Sequence, residues 1–264
     1  MQRTLVTFHA HPDDESISTG GSIARAAAEG HRVVLVLATR GEVGEVPDGF
    51  LAPGEELWER RTAETMRAAE ILGAHRVEFL GYRDSGVVDT PANDHPGSFW
   101  SADVDEAAAR LAAILTEERA DVLTVYDHHG GYGHPDHVQV HRVGHRAADL
   151  ARTPQVFEAT MNRDHIRRLM ALALDSLTDE AERPDIDLDE FGTPESEITT
   201  RLDVRDYADA KRAAMAAHAS QIAESSFFLQ MPPDAFREAF GWEWFVRRGA
   251  PPGVSEESLF EHLG

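Results

Sequence analysis

The chain has 264 residues, no cysteine and a formal net charge of −22 with histidines neutral. That length allows one large α/β domain or two small ones, and 42% hydrophobic residues suffice for a sizeable core. So acidic a chain repels nucleic-acid phosphates and anionic membranes, and without cysteine any metal must be held by nitrogen and oxygen.

In chain order, residues 3–9 are a short β-branched run that predicts a first strand. An alanine-rich helix over about 18–29 follows and stops at Gly30. Residues 32–38 are continuously apolar, as a parallel strand buried on both faces is, and complete a βαβ unit. The polar, glycine-rich loop 39–45 is expected to wall a site. A helix over about 55–72 ends at Gly73, and a third strand at 77–80 runs into the charged loop 81–86. Residues 87–102 read as an irregular loop. A helix over 104–118, a strand at 121–126, a helix over 137–152 and a strand at 156–160 follow. A helix is expected over 164–179, and an acidic linker or lid over 182–194. An edge strand at 198–204 and a helix over 206–220 come next, and the aromatic residues between 227 and 245 read as core packing. The chain starts with no basic segment leading into a long apolar one, and no run reaches the ~18 apolar residues of a membrane span. A soluble cytoplasmic protein is the expectation.

Two stretches carry the chemistry. His11-Pro12-Asp13-Asp14-Glu15 follows the first predicted strand and opens a helix. In open α/β sheets the carboxyl ends of strands are where ligands bind. His11 and Asp14, three apart, are neighbours on a helical turn and suit two ligands of one metal ion. Asp13 lies between them and stays free. Far along the chain, Tyr132-Gly133-His134-Pro135-Asp136-His137 has the same grammar after the strand at 121–126. An acidic first turn explains one such cluster, but two at strand ends of one sheet point to a shared metal. Spacing does not choose between His134 and His137 as the second turn's ligand. No glycine fingerprint for a dinucleotide follows the first strand, and no G-x-S-x-G is present.

The two motifs, with loop residues Thr39-Arg40-Gly41-Glu42 and Tyr82-Arg83-Asp84-Ser85-Gly86, resemble the LmbE-like (PIG-L) family of metal-dependent N-deacetylases. The match runs from residue 3 to about 150 and is looser beyond. It is nearest to actinobacterial members that deacetylate N-acetylglucosaminyl-inositol or cleave mycothiol conjugates. The resemblance implies an α/β fold, a Rossmann-like three-layer sandwich with a mostly parallel sheet, no dinucleotide and a smaller C-terminal part. It implies one domain over 1–264, with 1–160 carrying the metal site and 161–264 closing the pocket. His11, Asp14 and His137 would hold Zn²⁺, with Fe²⁺ as the alternative ion. Asp13 would be the general base. His134 would be a cation stabilising the oxyanion, with Asp136 beside it and Tyr132 over the same oxygen. Arg61 and Asp84 would bind the sugar or inositol hydroxyls. The implied partner is a small amino-sugar substrate rather than nucleic acid or membrane, and a homo-oligomer stays open. Two alternatives accompany the deacetylase: an amidase of mycothiol-like conjugates, and a non-catalytic metal-binding module.

Overall fold

The computed structural model describes residues 1–175, 192–253 and 255–263. β1 (Thr4–His9) is followed by two helices, α1 (Asp14–Ser18) and α2 (Gly20–Ala28), where one was expected. The chain breaks at Thr19, whose φ of −133° is not helical. The break lets α2 begin at Gly20-Gly21, and Gly21 packs so closely on Val204 that a Cβ there would clash. Then come β2 (Arg32–Leu37), α3 (Leu57–Leu72), β3 (Arg76–Phe79), α4 (Val104–Glu117) and β4 (Val122–Tyr126). A single kinked turn, α5 (Gly130–Gly133), precedes α6 (Pro135–Ala151), β5 (Gln155–Thr160) and α7 (Arg163–Asp175). The C-terminal part holds β6 (Thr200–Asp203), α8 (Ala208–Ala217), α9 (Phe227–Gln230), α10 (Pro233–Phe240) and β7 (Trp242–Arg247). Most of the acidic linker expected over 182–194, and the end of the helix expected to 179, lie outside the described residues.

The described strands form one seven-stranded sheet in the order β3-β2-β1-β4-β5-β7-β6. The first five are parallel, while β7 runs antiparallel to β5 and β6 antiparallel to β7. β7 is the strand that sequence reading missed, along with the short helices α9 and α10 before it. Its Trp-Glu-Trp-Phe-Val-Arg run mixes charge with bulky rings and lacks a clean alternation. Pairing with both neighbours decides its state.

Both faces of the sheet are covered. Val6, Phe8, Val34 and Val36 turn to one side and pack with Ala108 and Leu111 of α4 and Val140 and Val143 of α6. Leu5 and Val33 turn to the other side and meet Ile23 of α2, Leu72 of α3 and Ala214 of α8. This alternation, buried on either face, gives the three layers. Gly144 of α6 packs on Val125 where a Cβ would clash, which draws the helix onto β4. Strand order reverses between β1 and β4. That is the switch point at which open α/β sheets leave a crevice for ligands. No described helix is long and apolar enough to cross a membrane.

Candidate metal centre and active site

β1 and β4 lie side by side, with Thr7 opposite Thr124, so the turns after them emerge together at the switch point. In the first turn, the His11 backbone N–H donates to Asp14 Oδ2 at 2.8 Å. The same oxygen lies 3.3 Å from His11 Nδ1 and 3.3 Å from His137 Nε2. Each imidazole is oriented from behind. His137 Nδ1 is 3.2 Å from the Gly130 carbonyl, which only accepts, so that nitrogen carries the proton. His137 Nε2 is left buried with no hydrogen-bond partner among the described residues. On His11 it is Nε2 that faces acceptors, Asp136 Oδ2 at 3.1 Å and Asp84 Oδ1 at 3.4 Å.

These contacts test whether the residues fit a metal. Two imidazole lone pairs and a carboxylate oxygen aimed at one another repel unless a proton or cation lies among them. Bonds of about 2.0–2.2 Å in a tetrahedron separate donors by roughly 3.3–3.6 Å, which matches the 3.3 Å that Asp14 Oδ2 keeps from each imidazole nitrogen. His134 is close enough to join His11 and His137 in a three-histidine group, its ligand atom within 4.8 Å of theirs. In the metal-free chain burial would lower the His11 pKa, but Asp84, Asp136 and Asp14 outweigh it and raise it well above the usual value. A bound cation would take that proton's place. Burial would likewise raise Asp14, and His137 and His11 instead hold it well below the usual carboxylate range.

Asp13 is built differently from its neighbours. Its φ of 110° and ψ of −35° put a non-glycine residue in strained backbone at the cap of α1. Two devices hold it there. Its N–H donates to Glu15 Oε2 at 3.0 Å, and Glu15 Oε1 lies 2.6 Å from His218 Nε2 in a pair without solvent exposure. The Arg61 guanidinium donates to the carbonyls of Pro12 and Gly41 and lies 3.5 Å from Asp13 Oδ2. Burial pushes the Asp13 carboxyl up to about 6 against the pull of Arg61. Arg61 therefore spends two hydrogen bonds on backbone, although it also lines the cavity.

Beyond β4, His134 caps α6, its Nδ1 accepting the Asp136 N–H at 3.2 Å. Burial, with His11 and His137 close by, pushes it down to about 4. With Nδ1 accepting, the neutral ring carries its proton on Nε2. Asp136 is fully buried. It accepts from Ser85 N–H at 2.9 Å and from the Ser85 hydroxyl, and it faces His11. Tyr132 is 59% exposed at the mouth, its ring 5.0 Å from that of His137. Burial pushes its hydroxyl up to about 12. Asp84 receives the Gly86 N–H at 2.8 Å and lines the same space as Asp13 and Tyr132.

A cavity of about 800 Å³ opens from this centre, a size that suits a small-molecule ligand. Val43, Gly44 and Glu45 of the loop after β2 wall it, as expected, and Trp242 and Trp244 of β7 line it too. The Glu15–His218 pair and the grip of Ser85 on Asp136 escaped sequence reading. His218 is 203 residues from Glu15, and nothing local marks it.

The chain and its fold match known proteins. A family model described as "PIG-L: GlcNAc-PI de-N-acetylase" matches residues 6–148. The "1D-myo-inositol 2-acetamido-2-deoxy-alpha-D-glucopyranoside deacetylase" of Acidothermus cellulolyticus is 44% identical, over 93% of this chain and 89% of that protein. The protein of the same name from Thermomonospora curvata is 41% identical, over 99% and 97%. Among solved structures, the N,N'-diacetylchitobiose deacetylase of Pyrococcus horikoshii superposes with a TM-score of 0.61 at 19% identity, over 99% of this chain and 86% of that one. A 4-carboxy-2-hydroxymuconate hydratase superposes at 0.55 with 20% identity, over 97% and 99%, so shared architecture alone does not set the reaction. Family match and full-length relatives agree: this chain belongs to the PIG-L (LmbE-like) family of GlcNAc-PI de-N-acetylases.

Proposed function

We propose that this chain is a zinc-dependent deacetylase that hydrolyses the acetamide of an N-acetylglucosaminyl-inositol, releasing acetate and the free amine. One observation carries the reading: Asp14 Oδ2 lies 3.3 Å from both His11 Nδ1 and His137 Nε2, and all three residues line one cavity with Asp13. The printed substrate of the relatives supports the sugar–inositol class. Those relatives are deacetylases by name, so the conjugate-amidase alternative is not favoured.

His11, Asp14 and His137 would hold the ion, zinc by donor type, with ferrous iron fitting the same donors. When bound, it supplies a polarised amide carbonyl and a water whose pKa falls to about 7. The chain's own groups do the rest. Asp13, with a pKa of about 6, is mostly ionised at neutral pH and takes the water's proton. A C–O bond forms at the carbonyl carbon, and its oxygen becomes anionic. His134, with its proton on Nε2, and the Tyr132 hydroxyl are the donors assigned to that charge. Asp13 then returns its proton to the amine as the C–N bond breaks. Asp136 orients His11. Asp84 and Arg61, both in the cavity wall, are assigned to the substrate's hydroxyls, with Arg61 also bracing the Asp13 turn. The same proposal treats 1–264 as one domain acting in the cytoplasm.

The test is to supply zinc-loaded protein with 1D-myo-inositol 2-acetamido-2-deoxy-α-D-glucopyranoside, N-acetylglucosamine and a mycothiol-type conjugate. Acetate and free amine should appear in equal amounts from the first, faster than from the others. Bound zinc with no amine released from any of them would leave the metal-binding module as the reading.

A further inference from the structure

We infer a second divalent-metal site, held by His141 and His145 of α6 and Glu158 of β5. One ligand atom from each of the three lies within 4.8 Å of the others. The two histidines are four apart on a helix, so they share a face, a spacing known from helical zinc sites. Two imidazoles and a carboxylate are a donor set that zinc uses.

The local geometry favours ligation over a plain ion pair. His141 Nδ1 lies 3.0 Å from the Tyr126 carbonyl, which only accepts. Nδ1 therefore carries the proton and Nε2 keeps its lone pair, the orientation that metal-binding histidines receive from a group behind them. His145 Nε2 lies 2.9 Å from Glu158 Oε1, yet it is buried and makes no hydrogen bond among the described residues. The two atoms are close but misaligned for sharing a proton. A nitrogen and an oxygen that both point at a third position have this geometry. The His145 and Glu158 side chains are 19% and 16% exposed, so a water can complete the coordination.

The cluster belongs to none of the machinery assigned above, but it is joined to it. His137, His141 and His145 follow one another at four-residue steps along α6. Tyr126 orients His141 through its carbonyl, and its ring stacks on His137 with centroids 4.5 Å apart. An ion here would staple α6 to β5 and steady the helix that presents His137.

The test is equilibrium dialysis of the wild-type protein against micromolar zinc, read as zinc per chain. Two ions per chain are expected, falling to one in His145→Gln and in Glu158→Gln, with circular dichroism reporting that the variants are folded. Both variants should retain deacetylase turnover at a single bound zinc. Should a variant fail to fold, imidazole NMR of the wild type decides instead: the second equivalent should shift the His141 and His145 ring signals. A wild type that saturates at one zinc, or a second equivalent that leaves those rings unmoved, overturns the inference.

Discussion

The tripeptide His-Pro-Asp occurs twice in this chain, at 11–13 and 134–136, and the two copies do opposite things. In the first, the helix starts late: Asp13 is the cap and Asp14 the first helical residue. In the second, the helix starts early: His134 is the cap, and Pro135 takes the first helical position, where a missing N–H costs nothing. The two-residue offset rotates every side chain. Asp13 is left in strained backbone facing the cavity, whereas Asp136 falls inside the first helical turn, fully buried, and accepts from Ser85. The facing ligands accordingly come from different places, His11 before its helix and His137 three residues past its cap. Identical letters acquire different chemistry from where the helix begins.

The comparison can be broken by exchanging the two aspartates' effects. Asp13→Ala should keep zinc and lower kcat by roughly 10²–10⁴-fold, the usual contribution of a general base. The wild-type rate should fall about tenfold per unit as pH drops below about 6, because a protonated Asp13 accepts nothing, and that limb should vanish in the variant's residual rate. A loss of metal instead, by elemental analysis, would give the two turns the same role.

Glu15→Gln attacks the support that only the first turn possesses. Breaking one partner of a buried ion pair costs roughly 3–5 kcal/mol, which denaturant unfolding will read. The pH dependence has a worked sign. Burial opposes charge on both groups, but each partner overcomes it, so the His218 pKa is raised and that of Glu15 lowered. The His218 contribution is present below its unfolded pKa and is lost as pH rises through its raised folded value. The Glu15 contribution is present above its unfolded pKa and is lost as pH falls through its lowered folded value. The pair therefore stabilises between those two folded values, and Glu15→Gln should flatten that window.

Asp136→Asn should leave the Asp13 limb in place and weaken zinc roughly 10–100-fold, as loss of a group orienting a metal-bound imidazole does. A competitive chelator titration measures it; an unchanged affinity would free His11 from Asp136. The smallest effect on stability is expected from Asp13→Gly. Glycine accepts positive φ, so the variant should lose turnover as Asp13→Ala does, while its stability rises by only about 1 kcal/mol, or ~2–4 °C in Tm. A lower Tm would mean that the turn is not strained by its side chain.

The sequence made the strand-end placement of both clusters legible, because apolar runs ending in His-Pro-Asp mark the carboxyl ends of parallel strands. It also showed the edge position of β6, through alternation, and the wall made by residues 39–45. It could not show that the two turns meet. That depends on β1 and β4 being neighbours, a long-range pairing. Nor could it show Glu15 against His218, or Ser85 against Asp136, since each joins elements distant in the chain. The burial and the capping bond of His134, which hold its pKa down, likewise exist only in the fold. Of the second histidine cluster, the four-residue spacing on a helix was readable, while its Glu158 was not.

The most direct measurement is zinc-edge anomalous diffraction from crystals of the zinc-loaded protein. The account predicts an ion within about 2.0–2.2 Å of His11 Nδ1, Asp14 Oδ2 and His137 Nε2 together, with the Asp13 carboxylate beside it and unbound. Zinc held by one turn alone, or bound directly by Asp13 in place of Asp14, would contradict it.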